Sequence, residues 1–499
     1  MFTVGYDVGS SSIKAALYDT ERGIAVAQST YPQTEMPMIA AKAGWAEQDP
    51  EMWWDAAKNA TREVLSKSSV NPSDIKAIGI SYQMHGLVVV DKTQKVLRPS
   101  IIWCDSRAVE IGGKAFDAIG HKKCLERMLN SPGNFTASKL RWVKENEPEL
   151  FAKIDKFMLP GDYLAMKLTG EARTTMSGLS EGILWDFVSN SVSDAVLSQY
   201  QIGKNLVSDI VPTFGDQGEL TAAAASELGL KTGTKVTYRA GDQPNNAFSL
   251  NVLEPGQVAS TAGTSGVVYG ISEAIKYDPE TRVNTFAHVN HSKEKNRFGI
   301  LLCINGTGIS YSWIRKLTGN SISYSDLNSL AAESPIGSKG LRFINFGNGA
   351  ERMLVNKDPG ASLERLNFNI HGRAETVRSV LEGVAFSFKY GIDIMEQLEM
   401  NAAEINAGHA NMFLSPVFTK TLATLSGATI NMYDTDGSVG AARAAAVGAG
   451  IYKSFKEAFT NLRKIMTVEP DKGNKDAYLS AYSDWLGLLN SKLKSKGSK

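Results

Sequence analysis

The sequence predicts an α/β protein of two domains, and three observations carry that expectation. The chain has 499 residues, more than one hydrophobic core comfortably covers. A Gly/Ser-rich β-turn-β unit opens it, and a similar unit recurs near the midpoint, at Gln257 to Val268. After each unit, strand-like and helix-like stretches alternate, so one supersecondary pattern opens both halves. The boundary is expected between Ser249 and Gly256, which gives domains of residues 1–248 and 249–499.

Composition narrows the class. Hydrophobic residues make up 43% and charged residues 21%, as in soluble globular proteins. The formal net charge of +1 sets up no field that would draw in nucleic acid or an anionic membrane. Cys104, Cys124 and Cys303 form no CxxC pair, which argues against a disulfide framework or structural zinc and fits a reducing compartment. Met1 to Asp7 begins directly with a strand pattern and lacks the basic and apolar regions of a signal peptide. No apolar run reaches bilayer length. The expectation is a cytoplasmic enzyme without nucleic-acid or membrane partners.

In the first half, Phe2 to Tyr6 and Ile13 to Tyr18 read as strands around the turn Asp7-Val-Gly-Ser-Ser-Ser12, with a hairpin loop at Asp19 to Gly23. Asp49 and Pro50 have the character of an N-cap and first turn, opening a helix through Ser66. Ile75 to Ile80 and Leu87 to Asp91 read as strands on either side of Gln83-Met-His-Gly86. His85 thereby sits at a strand end, where open α/β sheets bind ligands; it could donate to a sugar hydroxyl, with Met84 against the carbon face. Leu97 to Arg107 reads as a strand leading to Asp105 and Arg107, either an ion pair or ligand contacts. Lys114 to Asp186 reads as mostly helical, with Leu140 to Glu145 and Phe151 to Phe157 as pieces and a helix start at Leu159 to Asp162. Leu220 to Leu228 is an Ala-rich helix.

The second half continues the alternation. Strands are expected at Gly299 to Asn305 and Leu341 to Phe346, and a strand-to-turn at Glu404 to Ala410. Helices are expected at Ser310 to Leu317, Ala374 to Leu398 and Ser415 to Ser426. Asp436 to Gly440 caps an Ala-rich helix through Val447. Lys492 to Lys499 forms a basic polar tail, expected to be mobile.

The chemistry concentrates at the midpoint. Lys235 to Tyr238 is a strand that runs into Arg239-Ala-Gly-Asp242, and a strand ending in Gly-Asp offers a carboxylate to a cleft. Gly263-Thr-Ser-Gly266 joins two strands and can aim several backbone N–H groups at a phosphate. At the N-terminus, Asp7 can hold a cation or its water shell, while small residues and hydroxyls beside it suit phosphate. A base candidate close to a phosphate cradle points to phosphoryl transfer.

The ordered series YDVGSSSIKAALYD, GWAEQDPEMWW, QMHG, LRPSIIWCDSR, FTASKLRWVKENEPELF, AGDQPNNA, GQVASTAGTSGVVY, LEGVAFSF and DGSVGAARAAAVGAG, spread over the whole chain, resembles the FGGY family of carbohydrate kinases. The QMHG turn looks like that of the xylulokinase-like members. The resemblance implies two ribonuclease-H-like domains, of the actin, chaperone-ATPase and sugar-kinase superfamily, with ATP and sugar in the cleft between them. It implies a first domain for sugar, a second for nucleotide, and Mg²⁺ alongside ATP. Asp242 matches the general base that takes a proton from the sugar's primary hydroxyl. Asp7 matches the residue that organises magnesium through water. On the substrate side stand Met84, His85 and Gln243, with Trp103 and Asp105 as further contacts. For the nucleotide, Gly263, Thr264 and Ser265 match the second phosphate turn, Gly408 and Asn411 the adenosine turn, and Gly306 lies near it; Ser11, Ser12 and Lys14 belong to the first phosphate turn. The expected reaction converts a ketopentose, D-xylulose, to its 5-phosphate. Another sugar or polyol (gluconate, ribulose or L-xylulose type) and a non-catalytic sugar-binding regulator are the alternatives. A homodimer is the expected assembly. Three stretches depart from the family pattern: Thr174 to Gly182, Gly349 to Leu354, and the adenosine turn, where His409 and Ala410 replace small residues and His409 could stack on adenine.

Overall fold

The computed structural model describes residues 1–319 and 321–495. In chain order, the first half contributes strands β1 (Phe2–Val8), β2 (Ile13–Asp19) and β3 (Ile24–Tyr31), helix α1 (Pro50–Ser66) and strand β4 (Ile75–Tyr82). Helices α2 (Pro160–Thr169) and α3 (Met176–Glu181), strand β5 (Lys235–Gly241) and helix α4 (Asp242–Ser249) follow. The second half contributes β6 (Val258–Ala262), β7 (Gly266–Ser272), β8 (Asn284–Ala287), β9 (Phe298–Ile304) and α5 (Gly308–Thr318). A hairpin of β10 (Arg342–Phe346) and β11 (Gly360–Glu364) leads to the long helix α6 (Arg373–Gln397). Then come β12 (Glu404–Gly408), α7 (Pro416–Ser426), β13 (Thr429–Tyr433), α8 (Gly437–Gly448), β14 (Lys464–Val468) and α9 (Lys475–Ser495). Four residues of the basic tail lie outside the described residues; Lys492 to Ser495 continue α9.

Two sheets organise the molecule. The first has the order β5-β4-β1-β2-β3, and the second β8-β9-β7-β6-β12-β13-β14. In the first, β5, β4 and β1 are parallel, and β2 and β3 continue antiparallel. In the second, β13, β12 and β6 are parallel, and β7 and β9 continue antiparallel. The same five-stranded unit, in the same order and direction, is therefore built twice. The β-turn-β units read from the sequence are β1-β2 and β6-β7, each the antiparallel hairpin of its sheet.

The Ala-rich helix α8 belongs to the second half by sequence but packs on the first sheet. Thr3 Oγ1 donates to Ala442 O at 2.7 Å, and Thr237 Oγ1 donates to Ala445 O at 2.8 Å. A Cβ on Gly5 would lie 2.3 Å from Ala442 N, and one on Gly79 would lie 2.1 Å from Ala441 O. Glycine on the strands and alanine on the helix are what allow that approach. Asp436 caps α8, accepting from Val439 N at 3.0 Å. Helix α4 runs alongside: Asn245 Nδ2 donates to Gly437 O at 2.9 Å, while Asn406 Nδ2 donates to Leu250 O just past its end. The two helices that follow the last parallel strand of each unit thus tie the halves together.

Two local expectations differ. Phe151 to Phe157 is not a helix: a single turn at Pro148–Phe151 gives way to a strand at Lys156–Met158, which pairs with Val88–Val90. Pairing decides there, because Phe157 and Met158 bury against that partner. Leu97 to Arg107 supplies only the two-residue strand Ser100–Ile101, paired with Glu47–Gln48.

Candidate active site

The three parallel strands of the first sheet end side by side. Ser81 of β4 pairs with Asp7 of β1 on one side and Ala240 of β5 on the other. With strands about 4.8 Å apart, the backbones carrying Asp7 and Asp242 are separated by roughly 10 Å at a shared sheet end. The two carboxylates feel each other. Burial pushes Asp242 up to about 7, and the charge of Asp7 adds to this, while hydrogen bonds from Gln243 oppose it. Burial likewise raises Asp7, with Asp436 adding to the rise; Lys14, its cross-strand neighbour, and a 2.9 Å hydrogen bond from Ser81 Oγ pull it down. A carboxylate near 7 suits a general base at neutral pH.

Asp242 faces a cavity of about 380 Å³ whose walls come from both halves. Met84, His85, Trp103 and Gln243 contribute from the first half; Ser265, Glu351 and Arg352 contribute from the second. His85 holds a left-handed backbone, φ 63°, costing about 1 kcal/mol or more. Lys139 fixes that turn: its Nζ donates to His85 O and Ile102 O, both at 2.9 Å. The imidazole packs edge-on to Phe135 at 4.6 Å. Burial pushes it down to about 3, and Lys139 and Arg352 add to the effect, so the ring is neutral. Its Nδ1 lies 3.0 Å from Glu181 O. A carbonyl only accepts, so Nδ1 carries the proton and Nε2 presents a lone pair. Toward the cavity His85 therefore offers an acceptor, not the donor expected from the sequence.

Asp105 does not reach the cavity. It is fully buried, and its carboxylate accepts from Ala46 N at 2.6 Å and from the Arg107 guanidinium at 2.6–3.0 Å. Arg107 in turn stacks on Trp45 at 3.8 Å. Of the two readings open for this pair, the structure takes the ion pair, because those donors leave the carboxylate no free face. Trp103, 44% exposed, lines the cavity, with its Nε1 3.5 Å from Ser10 Oγ.

The tip of the β6-β7 hairpin divides two cavities. Ser265 lines the one that holds Asp242, whereas Gly263 and Thr264 line a neighbour of about 490 Å³. Asn411 reaches this second cavity, together with Tyr311, Tyr324 and Met412. Helix α5 starts at its edge: Gly308 N donates to Gly263 O at 2.9 Å, and Ile309 N donates to Thr264 O at 3.2 Å. The cradle is tight, since a Cβ on Gly308 would lie 2.3 Å from Gly263 O. Ser11, Ser12 and Lys14 stand on the β1-β2 hairpin, with Ser11 and Lys14 exposed. Gly408 ends β12, three residues before Asn411. Two residues lie elsewhere. Gly306 lines a separate cavity of about 460 Å³ beyond Ile309, beside Trp313 and Phe343. His409 lines a surface depression with Phe413 and Lys420, away from Gly263 and Thr264, because its backbone bonds to Tyr433 O and turns it outward.

The residues present fit ATP and Mg²⁺. Asp7, Asp436 and Asp242 gather negative charge, with Lys14 the cation that acts on Asp7. Among the described residues no group of three or more His, Cys, Asp or Glu could hold a metal ion; magnesium keeps waters and phosphates as ligands, and Asp7 is the residue that would face its water shell.

Sequence reasoning missed Glu181, Lys139, Glu351 and Arg352. Burial pushes Glu351 up to about 7, against hydrogen bonds from Asn305 N. Glu181, Glu351 and Arg352 fall in stretches that depart from the family pattern, which was the available signal; Lys139 falls in the FTASKLRWVKENEPELF run that carries the resemblance, which marks the stretch but not the residue.

Residues 2–249 match the N-terminal domain of the FGGY family of carbohydrate kinases. The xylulose kinase of Escherichia coli K12 is 30% identical over 485 residues, 95% of this chain and 96% of that protein. The L-xylulose/3-keto-L-gulonate kinase of the same organism is 30% identical over 504 residues, 98% of this chain and 96% of that protein. The crystal structure of xylulose kinase from Rhodospirillum rubrum superposes with a TM-score of 0.87 at 26% identity, covering 98% of this chain and 99% of that one. No helix among the described residues is long and apolar enough to cross a membrane.

Proposed function

This chain belongs to the FGGY family of carbohydrate kinases and is an ATP-dependent carbohydrate phosphotransferase; from that premise we propose that its acceptor is a ketopentose, D-xylulose first, phosphorylated at the primary hydroxyl. We take residues 1–248 as the sugar-binding half and 249–499 as the nucleotide-binding half. The observation that carries the reading is Asp242, raised to about 7 at the mouth of a strand and facing a cavity floored by Met84 and His85.

Asp242 takes the proton of the attacking hydroxyl, a contribution of about 10²–10⁴-fold. His85 Nε2 accepts from a second hydroxyl, Gln243 stands beside the base, and Met84 and Trp103 cover the carbon face. Gly263, Thr264 and Asn411 receive the nucleotide, and Ser265 stands where nucleotide and acceptor cavities meet. Asp7, steadied by Ser81, would hold the water shell of Mg²⁺, which when bound neutralises phosphate charge. The protein needs little covalent chemistry of its own; alignment and exclusion of water complete its part.

One observation favours a second acceptor class. Arg352 brings a guanidinium into the acceptor cavity, stacks at 5.7 Å on Phe135, and makes no ion pair among the described residues. A sugar acid such as the 3-keto-L-gulonate named for the second relative would supply the carboxylate. A coupled ADP-release assay over ketopentoses, polyols and sugar acids decides. Release only with D-xylulose supports the first reading, and release only with acids replaces it. Release without any sugar removes both.

A further inference from the structure

Beneath the acceptor floor lies a side chain that the mechanism above does not use. Glu181 ends α3 and is 2% exposed. Its Oε2 would lie 2.4 Å from a Cβ placed on Gly241, and Met84 Cγ would lie 2.6 Å from the same point. Carboxyl and thioether thus close together on the backbone immediately before Asp242. Oε1 is buried without a hydrogen-bond partner among the described residues. The Glu181 carbonyl receives the Nδ1 proton of His85. We infer that Glu181 is a positioning residue for the acceptor: its carboxyl supports Met84 and Asp242 from below, while its carbonyl fixes the tautomer of His85. The inference rests on the acceptor reading of the cavity.

Charge decides which form of the acid can do this. Asp242 of α4 and Asp162 of α2 act on it by charge, and its own charge would act on Tyr82 of β4 and Tyr269 of β7. The cation of this layer, Arg239 of β5, is ion-paired with Asp162 at 3.2 Å, and no described residue makes an ion pair with Glu181. Burial, with Asp242 and Asp162 adding, pushes Glu181 well above the usual carboxylate range, although the Tyr82 hydroxyl opposes the shift. The neutral carboxylic acid is therefore the form that these surroundings favour. An anion there would drive Asp242 further up and empty the base at working pH. A neutral acid fills the same space without that penalty.

Glutamine keeps both the shape and the neutrality of that acid; alanine keeps neither support nor volume. In Glu181→Ala the sugar KM is expected to rise about tenfold, with the ATP KM within about threefold of the parent. Glu181→Gln is expected to return the sugar KM to within about threefold of the parent. In both variants the acid limb of kcat/KM stays where the parent has it. Infrared spectra of the full chain should show a protonated-carboxyl carbonyl band in the parent that is missing from Glu181→Gln. A parent-like sugar KM in Glu181→Ala, no rescue by Glu181→Gln, an acid limb displaced downward in Glu181→Gln, or the absence of the infrared difference each overturns the inference. Should the alanine variant fail to accumulate, the glutamine variant and the infrared difference still decide. If the parent phosphorylates no acceptor in the panel, the acceptor reading itself is what fails.

Discussion

The two cavities on either side of the β6-β7 hairpin are built differently. The Asp242 side is a floor of buried titratable groups: Asp242, His85, Glu181, Glu351 and Lys139 are all shifted by burial. The Gly263 side is a backbone cradle with aromatic walls, Tyr311 and Tyr324, and its Gly308 meets main chain closely. Chemistry that moves a proton needs side chains whose charge can be tuned. Holding phosphates and a base needs backbone N–H groups and flat surface. One side should therefore be sensitive to removed functional groups, and the other to added bulk.

The largest break should come from Asp242→Ala, with kcat down by about 10²–10⁴ and sugar affinity by calorimetry within a few-fold; turnover at the parent rate would sink the base assignment. Next in size is Gly308→Ala. Its methyl would meet Gly263 O at 2.3 Å, so the hairpin must move and the ATP KM should rise about tenfold or more, with sugar affinity retained. A matching loss of sugar affinity would mean that the two cavities do not behave separately.

Stability separates them further. The pKa of Asp242 is raised in the fold, from 3.8 to about 7, so its ionisation opposes folding increasingly from the unfolded value upward and fully above pH 7. Asp242→Asn should be more stable than the parent by about 2–4 kcal/mol at pH 8, and most of that gain should be gone near pH 4, close to the carboxyl's unfolded value of 3.8. Denaturant melts at the two pH values check this; a gain that persists at pH 4 would contradict the charge account. In activity, the acid limb of kcat/KM in the parent should fall near pH 7, because the base works only when ionised. The smallest effect belongs to Thr264→Ala. It removes a hydroxyl but leaves the backbone cradle, so the ATP KM should change by less than about threefold. A tenfold change would show that this cradle depends on side chains after all.

Local pattern carried much of this into the sequence. Asp49-Pro50, Asp436 and the two Gly/Ser hairpins are short-range signals, and the structure shows N-caps at the acids and β1-β2 and β6-β7 at the hairpins. Asp242 stood out as a candidate because it follows a glycine at a strand end, and Asp7 because a Gly/Ser-rich turn opens beside it. Contacts made by burial were not. Asp105 looks like a ligand until Ala46 and Arg107, brought in by folding, occupy its oxygens. His409 looks like an adenine contact until β12 turns it outward. Glu181, unmarked within the stretch Thr174 to Gly182, becomes a buried acid only when the fold closes over it.

By itself, then, the order of residues determined which strands end in acids, where the repeat begins, and the family to which the chain belongs. These depend on neighbours within a few positions. Tertiary structure alone decided the second crossing of the repeat, in which α8 seals the first sheet, and the protonation states that follow. A side chain's charge depends on the water it has lost and the distant charges it has gained, and neither is encoded at its own position.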